Sequence, residues 1–212
     1  MPEFALSAFV TFLVILDPPG TAALFAAMTR NIADGHRRVM AWRASFLAGI
    51  MLFAFALGGE WLLGSLGITL PAFRVAGGIL LFLLAADMVF ARQSGLRSTT
   101  PLENEEAATR EDITVFPLAF PLIAGPGAMT SVVLMMGRAQ GEPARQLVVL
   151  AVLLAVMVIL LIMLLGAGHI LRLLGMTGAH VVSRVLGIIL AALALQFVLD
   201  GLRQALPGLG VS

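Results

Sequence analysis

The sequence predicts an all-α polytopic membrane protein with six transmembrane helices. It predicts two inverted three-helix repeats, with helices 1 and 4 broken at the membrane midplane. Three observations lead there. First, the 212-residue chain is 60% hydrophobic and 12% charged, with a mean hydropathy of +1.03, whereas soluble domains run near about 25% charged. Second, apolar residues gather into six stretches, 4–28, 41–63, 71–90, 113–136, 147–171 and 181–206. Each is long enough, at about 1.5 Å per residue, to cross a bilayer as a tilted helix. They are rich in Leu, Ala, Val and Gly without strand-like alternation, which argues against a barrel. Third, short matches recur at a nearly constant offset. Pro19-Gly20 matches Pro126-Gly127 at 107, Leu66-Gly67-Ile68-Thr69 matches Leu174-Gly175-Met176-Thr177 at 108, and Arg74-Val75-Ala76-Gly77 matches Arg184-Val185-Leu186-Gly187 at 110. Three helices per copy is an odd number, so the second copy enters from the opposite side. The chain then divides into a first repeat at 1–91, a cytoplasmic linker at 92–112 and a second repeat at 113–212, forming one transmembrane domain.

The first segment carries the most informative residues. Met1-Pro2-Glu3 lacks the basic start of a cleavable signal peptide, so the segment is expected to be retained. At its centre stand Leu16-Asp17-Pro18-Pro19-Gly20-Thr21. Proline removes a backbone donor and clashes one turn back, so a half-helix is expected to stop at about Leu16 and another to start near Thr21. The orphaned carbonyls of Val14, Ile15 and Leu16 suit a cation or an ammonium group. The free N–H groups of the new half-helix, at the positive end of its dipole, suit a carboxylate. Asp17 is the only ionisable residue near the middle of any segment, which reads as an ammonium partner or an H⁺ or Na⁺ coupling group. The alternative is a buried carboxyl that caps the second half-helix.

The second and third segments hold Gly58-Gly59, read as a flexible end, and Gly77-Gly78, read as a close-packing site with Gly187. Glu60 and Arg74 are expected at the interface, and Asp87 is expected to pair with Arg92. The first loop carries Arg30, Arg37, Arg38 and Arg43, the third Arg92, Arg97 and Arg110, and the fifth Arg172. The alternate side carries fewer arginines, so these loops are placed in the cytoplasm and both termini outside. A re-entrant hairpin at Asp17-Pro18-Pro19-Gly20 is the topological rival, and it would reverse that pattern. The linker, with Glu103, Glu105, Glu106, Glu111 and Asp112, reads as a solvated connection.

The fourth segment repeats the interruption at Phe120-Pro121-Leu122-Ile123-Ala124-Gly125-Pro126-Gly127, opening a half-helix at Ala128-Met129-Thr130-Ser131. Thr21, Thr130 and Ser131 either donate to a substrate carboxylate or bond back to their own helix. The two breaks are expected to meet and form a transport site. In the last segments, Gln196 is expected to bond between helices and Arg184 to mirror Arg74.

What the sequence excludes narrows the function. With no cysteine, there is no disulfide or thiolate chemistry. His36, His169 and His180 have no ligand spacing, and no phosphate loop, nucleophile elbow or zinc-protease motif occurs. No catalytic residue, cofactor or metal is therefore expected, and the protein is not expected to be an enzyme. The net charge of +1 gives no reason to expect nucleic acid. The expected partners are the lipid bilayer and a small-molecule substrate, and a homo-oligomer is compatible with the sequence.

Two stretches carry a family resemblance. Asp17-Pro18-Pro19-Gly20 and Pro117-Leu118-Ala119-Phe120-Pro121-Leu122-Ile123-Ala124-Gly125-Pro126-Gly127-Ala128-Met129-Thr130 resemble the two signatures of the MarC/SnatA family, and the likeness runs over essentially the whole chain. It implies an inner-membrane protein related to the LysE-type exporters, some members being described as transporters of small neutral amino acids such as glycine and alanine. The family's name comes from a multiple-antibiotic-resistance locus. By motif, the resemblance assigns the site to Asp17, Pro18, Gly20, Pro121, Gly125, Pro126, Gly127 and Thr130. Pro19, Thr21 and Ser131 join them on the reading of the residues. Where the family commonly has an asparagine and a further proline after Gly20, this chain has Thr21-Ala22-Ala23-Leu24. The expected function is secondary transport, in the export direction, of small neutral amino acids. A permease for another metabolite or drug and a non-transporting membrane scaffold are the alternatives.

Overall fold

The computed structural model describes residues 1–30, 32–90 and 112–206. Its helices are α1 (Pro2–Leu16), α2 (Pro18–Met28), α3 (Asp34–Ser65), α4 (Leu70–Phe90), α5 (Thr114–Ile123), α6 (Pro126–Arg138), α7 (Pro143–Leu165) and α8 (Ala167–Ala205). No strand occurs among the described residues. Pro2–Met28, Asp34–Ser65, Leu70–Phe90, Pro143–Leu165 and Thr177–Ala205 are each long and apolar enough to cross a membrane. The pair Thr114–Ile123 and Pro126–Arg138, bent by 51°, makes a sixth span if taken as one.

Each apolar stretch of the sequence therefore reappears, with two shifts of boundary. α3 starts at Asp34 rather than at 41, which puts Arg37 and Arg38 on the helix, with the flanking Arg43, instead of in the first loop. Asp34 favours that earlier start: a carboxylate suits the positive end of the helix, and it pairs with Arg37 at 3.0 Å. α7 stops at Leu165, and the chain from 167 to 174 forms a separate turn of helix before Gly175, at φ 63, breaks the rod. Gly67, between α3 and α4, has φ 70. Both turns need the left-handed region that glycine enters without strain.

The interrupted segments lie innermost. In Pro2–Met28, 67% of the apolar window is buried, against 28% in both Asp34–Ser65 and Thr177–Ala205. The outer helices turn Phe46, Trp61 and Ile188 outward, as a lipid-facing surface requires. α1 packs on α7 and α6, α2 on α7 and α8, α5 on α3, and α6 on α3 and α4. The short helices are therefore held by long ones from the other half of the chain.

The most extensive contact joins α4 to α8, and glycines permit it. A Cβ on Gly78 would lie 2.8 Å from the carbonyl oxygen of Ala194. One on Gly201 would lie 2.9 Å from that of Pro71, and one on Gly187 3.2 Å from that of Ala85. Backbones this close gain dispersion contacts where lipid offers no hydrophobic drive. Gly59 departs from its reading as a flexible end, because the Val133 side chain of α6 occupies the space beside it.

Gly78→Val is expected to lower the melting temperature of the detergent-purified protein by several degrees, since overpacking costs roughly 1–3 kcal/mol. Gly58→Ala is the control: nothing lies within 4 Å of that position, so the change should be neutral, or stabilising by up to about 1 kcal/mol. Equal melting temperatures for wild type and Gly78→Val would contradict the packing.

Candidate functional site

At the first interruption α1 ends and α2 begins on Asp17, which sits at φ 41 and ψ 66. It is the one non-glycine residue with positive φ among those described. Its N–H closes α1 on the carbonyl of Leu13 at 3.0 Å. Pro18 and Pro19 then occupy the first positions of α2, where a missing N–H costs nothing. The second half-helix thus starts at Pro18 rather than near Thr21, because the prolines initiate it instead of delaying it. Asp17 Oδ1 accepts from the Gly20 N–H at 3.1 Å, and the Asp17 carbonyl accepts from the Thr21 N–H at 2.9 Å. The Thr21 hydroxyl donates back to the Leu16 carbonyl at 2.9 Å. One of the three carbonyls expected to be orphaned is thereby satisfied from within.

Asp17 is 1% exposed. Its other oxygen, Oδ2, accepts from Ser183 Oγ of α8 at 2.7 Å. A Cβ on Gly20 would fall 2.5 Å from that same Ser183 oxygen, so the glycine is required for α8 to reach the carboxylate. Sequence reading passed over Ser183. Its signal was a hydroxyl beside Arg184, in the block that repeats the surroundings of Arg74.

The second interruption is longer than the sequence suggested. Phe116 (φ −126, ψ 128) and Phe120 (φ −136, ψ 131) are extended, as residues before proline tend to be, and Pro117 and Pro121 follow cis peptide bonds. Between them the chain winds wider than an α-helix: the Leu118 N–H reaches the Ile113 carbonyl at 3.2 Å, and the Ala124 N–H reaches that of Ala119 at 2.9 Å. Gly125 is extended at the start of α6, Pro126 takes its first position, and no side chain caps this end. Gly127 packs on α4, where a Cβ would meet Leu84 at 2.8 Å. The Ser131 hydroxyl bonds back to the Ala128 carbonyl at 2.8 Å. Pro126, Met129 and Thr130 line a cavity of about 210 Å³ together with Phe55 and Leu62 of α3 and Phe73 of α4.

The two interruptions are neighbours, since α1 packs on α6 and α2 touches α5. They face different partners. Asp17, Gly20 and Ser183 form a polar contact on the α8 side. Thr130 and Pro126 border the cavity on the α3–α4 side, and Asp17 is not among its lining residues. The dipole ends also differ: the protein's own carboxylate caps α2, whereas the N-terminus of α6 carries no side-chain cap.

Other expectations change with packing. Arg74, near the start of α4, is 6% exposed and packs against α8 beside Gly201. Arg184 is exposed, so it does not mirror Arg74. Gln196 bonds Asp200 of its own helix at 2.7 Å, and Glu60 accepts from Gln140 Nε2. Arg92, the expected partner of Asp87, lies outside the described residues, as does the linker apart from Asp112. Among the described residues no group of His, Asp and Glu is placed to hold a metal ion.

The description "MarC family integral membrane protein" matches residues 2–206. A UPF0056 membrane protein of Archaeoglobus fulgidus is 36% identical over 204 residues, covering 96% of this chain and 94% of the relative. One from Methanocaldococcus jannaschii is 37% identical, covering 96% and 98%. The UPF0056 inner membrane protein YhgN of Escherichia coli is 32% identical, with the same two coverages. No solved structure matches.

Ser183→Ala should cost about 1.5–3 kcal/mol of stability, the range for a hydrogen bond to a charged group, read as a fall in the detergent melting temperature. Ser183→Thr retains the hydroxyl and should recover part of it. If Ser183→Ala melts like wild type, Ser183 does not hold Asp17.

Proposed function

The chain belongs to the MarC family of integral membrane proteins, and from that premise we propose that it is a secondary transporter that exports small neutral amino acids such as glycine and alanine. The observation that carries this reading is the pairing of a buried carboxylate at one helix break with an uncapped half-helix N-terminus at the neighbouring one. An amino acid presents one ammonium and one carboxylate. Asp17 suits the ammonium, and the Gly127 and Ala128 amides suit the carboxylate. The amides after Gly20 suit it less, because Asp17 already accepts from the Gly20 N–H. Thr130 borders the space where a small side chain would lie.

The architecture in this reading is two inverted repeats, with both breaks at the membrane midplane. The sequence offsets support it. So do the matched left-handed glycines, Gly67 and Gly175, and the exchange of partners: α1 on α7 answers α5 on α3, and α2 on α8 answers α6 on α4. The arginine-rich ends support termini that face outward. The inner membrane is the proposed location, in keeping with the name of the E. coli relative, an inner membrane protein. Asp17 is the coupling group: it carries a proton or the substrate ammonium, not both. A cavity of about 210 Å³ is smaller than the roughly 300–1,000 Å³ typical of drug sites, which favours a small metabolite over a drug.

In proteoliposomes, wild-type protein should move radiolabelled glycine or alanine in response to a pH gradient. Asp17→Asn, which keeps one acceptor for the Gly20 N–H and turns the other contact into an amide donor to the Ser183 hydroxyl oxygen, should lose the gradient dependence. Absence of flux for glycine, alanine and serine under any gradient would sink the amino-acid reading. Gradient-driven flux in Asp17→Asn would remove Asp17 from the coupling.

A further inference from the structure

A second charged cluster lies away from the interruptions, where the end of α6, the start of α4 and the last turns of α8 converge. Arg138 Nη2 meets Asp200 Oδ2 at 2.7 Å. Its guanidinium lies 4.5 Å from the centre of the buried Phe197 ring. Gln196 fixes the other oxygen of Asp200. Arg74 stands behind them, its Cβ 3.0 Å from where a Cβ on Gly201 would be. Arg74 is 6% exposed, and its Nε has no hydrogen-bond acceptor. It lies within electrostatic range of Arg138 and Asp200. The other acids near this end are engaged elsewhere, Glu60 by Gln140 and Glu142 by Arg145. Only Arg138 is bonded to the carboxylate, and a buried Arg74 Nε that lacks an acceptor calls for an explanation. The Arg138 and Asp200 side chains are 24% and 26% exposed, so the ion pair can be reached from outside, whereas Arg74 is buried.

We propose that Arg74 and Arg138 form a subsite for a small carboxylate, which binds by displacing Asp200 from Arg138 and supplying the acceptor that Arg74 lacks. Guanidiniums suit this because their forked donors match a carboxylate. Resting on the transport reading above, the carboxylate is that of the amino acid, held at this end of the bundle before or after it occupies the interruptions. Asp200 is the competitor: its bond to Arg138 closes the subsite whenever the ligand is absent.

The test uses purified full-length protein in neutral detergent, with sodium propionate as the probe and sodium chloride at equal ionic strength as the control. Propionate should raise the melting temperature of wild type beyond the chloride effect. Arg74→Gln should weaken propionate binding about tenfold or more, the factor expected for a charge-assisted hydrogen bond. Asp200→Asn should instead tighten it, because the competing charge is gone. A merely structural ion pair would not produce that gain, and Asp200→Asn serves as the readout even if Arg74→Gln does not fold. Equal effects of propionate and chloride, or weaker binding in Asp200→Asn, would overturn the subsite. Glycine should compete with propionate. Propionate binding without glycine competition would overturn the assignment to the amino acid while leaving the anion subsite. Glycine flux without propionate binding would overturn the subsite and leave the transport reading standing.

Discussion

Inside hydrocarbon a backbone N–H or C=O with no partner costs several kcal/mol, and this chain gives up regular helix twice in its innermost segments. The packing follows from how those two interruptions are satisfied. At the first, the chain solves the problem locally: Asp17 takes a left-handed turn, prolines fill positions that need no donor, and Thr21 returns a hydrogen bond to Leu16. At the second, wider turns between Ile113 and Ala124 keep part of the ladder, with two prolines inside it. Neither solution tolerates contact with lipid, so long helices from the opposite half of the chain enclose each one.

That enclosure depends on close backbone approach. α4 and α8 come together along Gly78, Gly187 and Gly201, each of which meets a carbonyl oxygen of the facing helix. The same small-residue logic operates at the site: Gly20 leaves room for Ser183 to reach Asp17. Scaffold and site are therefore built by one device, a missing Cβ where two helices must touch.

The two interruptions match in position and differ in charge. One brings its own carboxylate and is capped by it, while the other offers an uncapped helix end beside a small cavity. A further imbalance of the opposite sign, two arginines to one aspartate, lies at the end of the bundle where α4, α6 and α8 converge.

The sequence by itself determined the six apolar segments, the positions of both breaks and the singular standing of Asp17, because hydropathy, proline chemistry and the rarity of a carboxylate in an apolar span are local properties. It also marked Gly77-Gly78 and Gly187 as contact residues. Only the tertiary structure decided what each polar group meets. Ser183 was invisible because it lies in a different segment from Asp17, and no spacing rule links them. Arg74 stood out only by its place near a helix end, and the structure adds that it is buried against α8 beside Gly201. Arg184, its match in sequence, stayed exposed. Thr21 and Ser131 were ambiguous by composition; in the structure Thr21 donates across the break to Leu16 of α1, and Ser131 to Ala128 of its own helix. Periodicity and propensity report which face of a segment avoids water, whereas the partner of a buried charge depends on which helices the whole chain brings together.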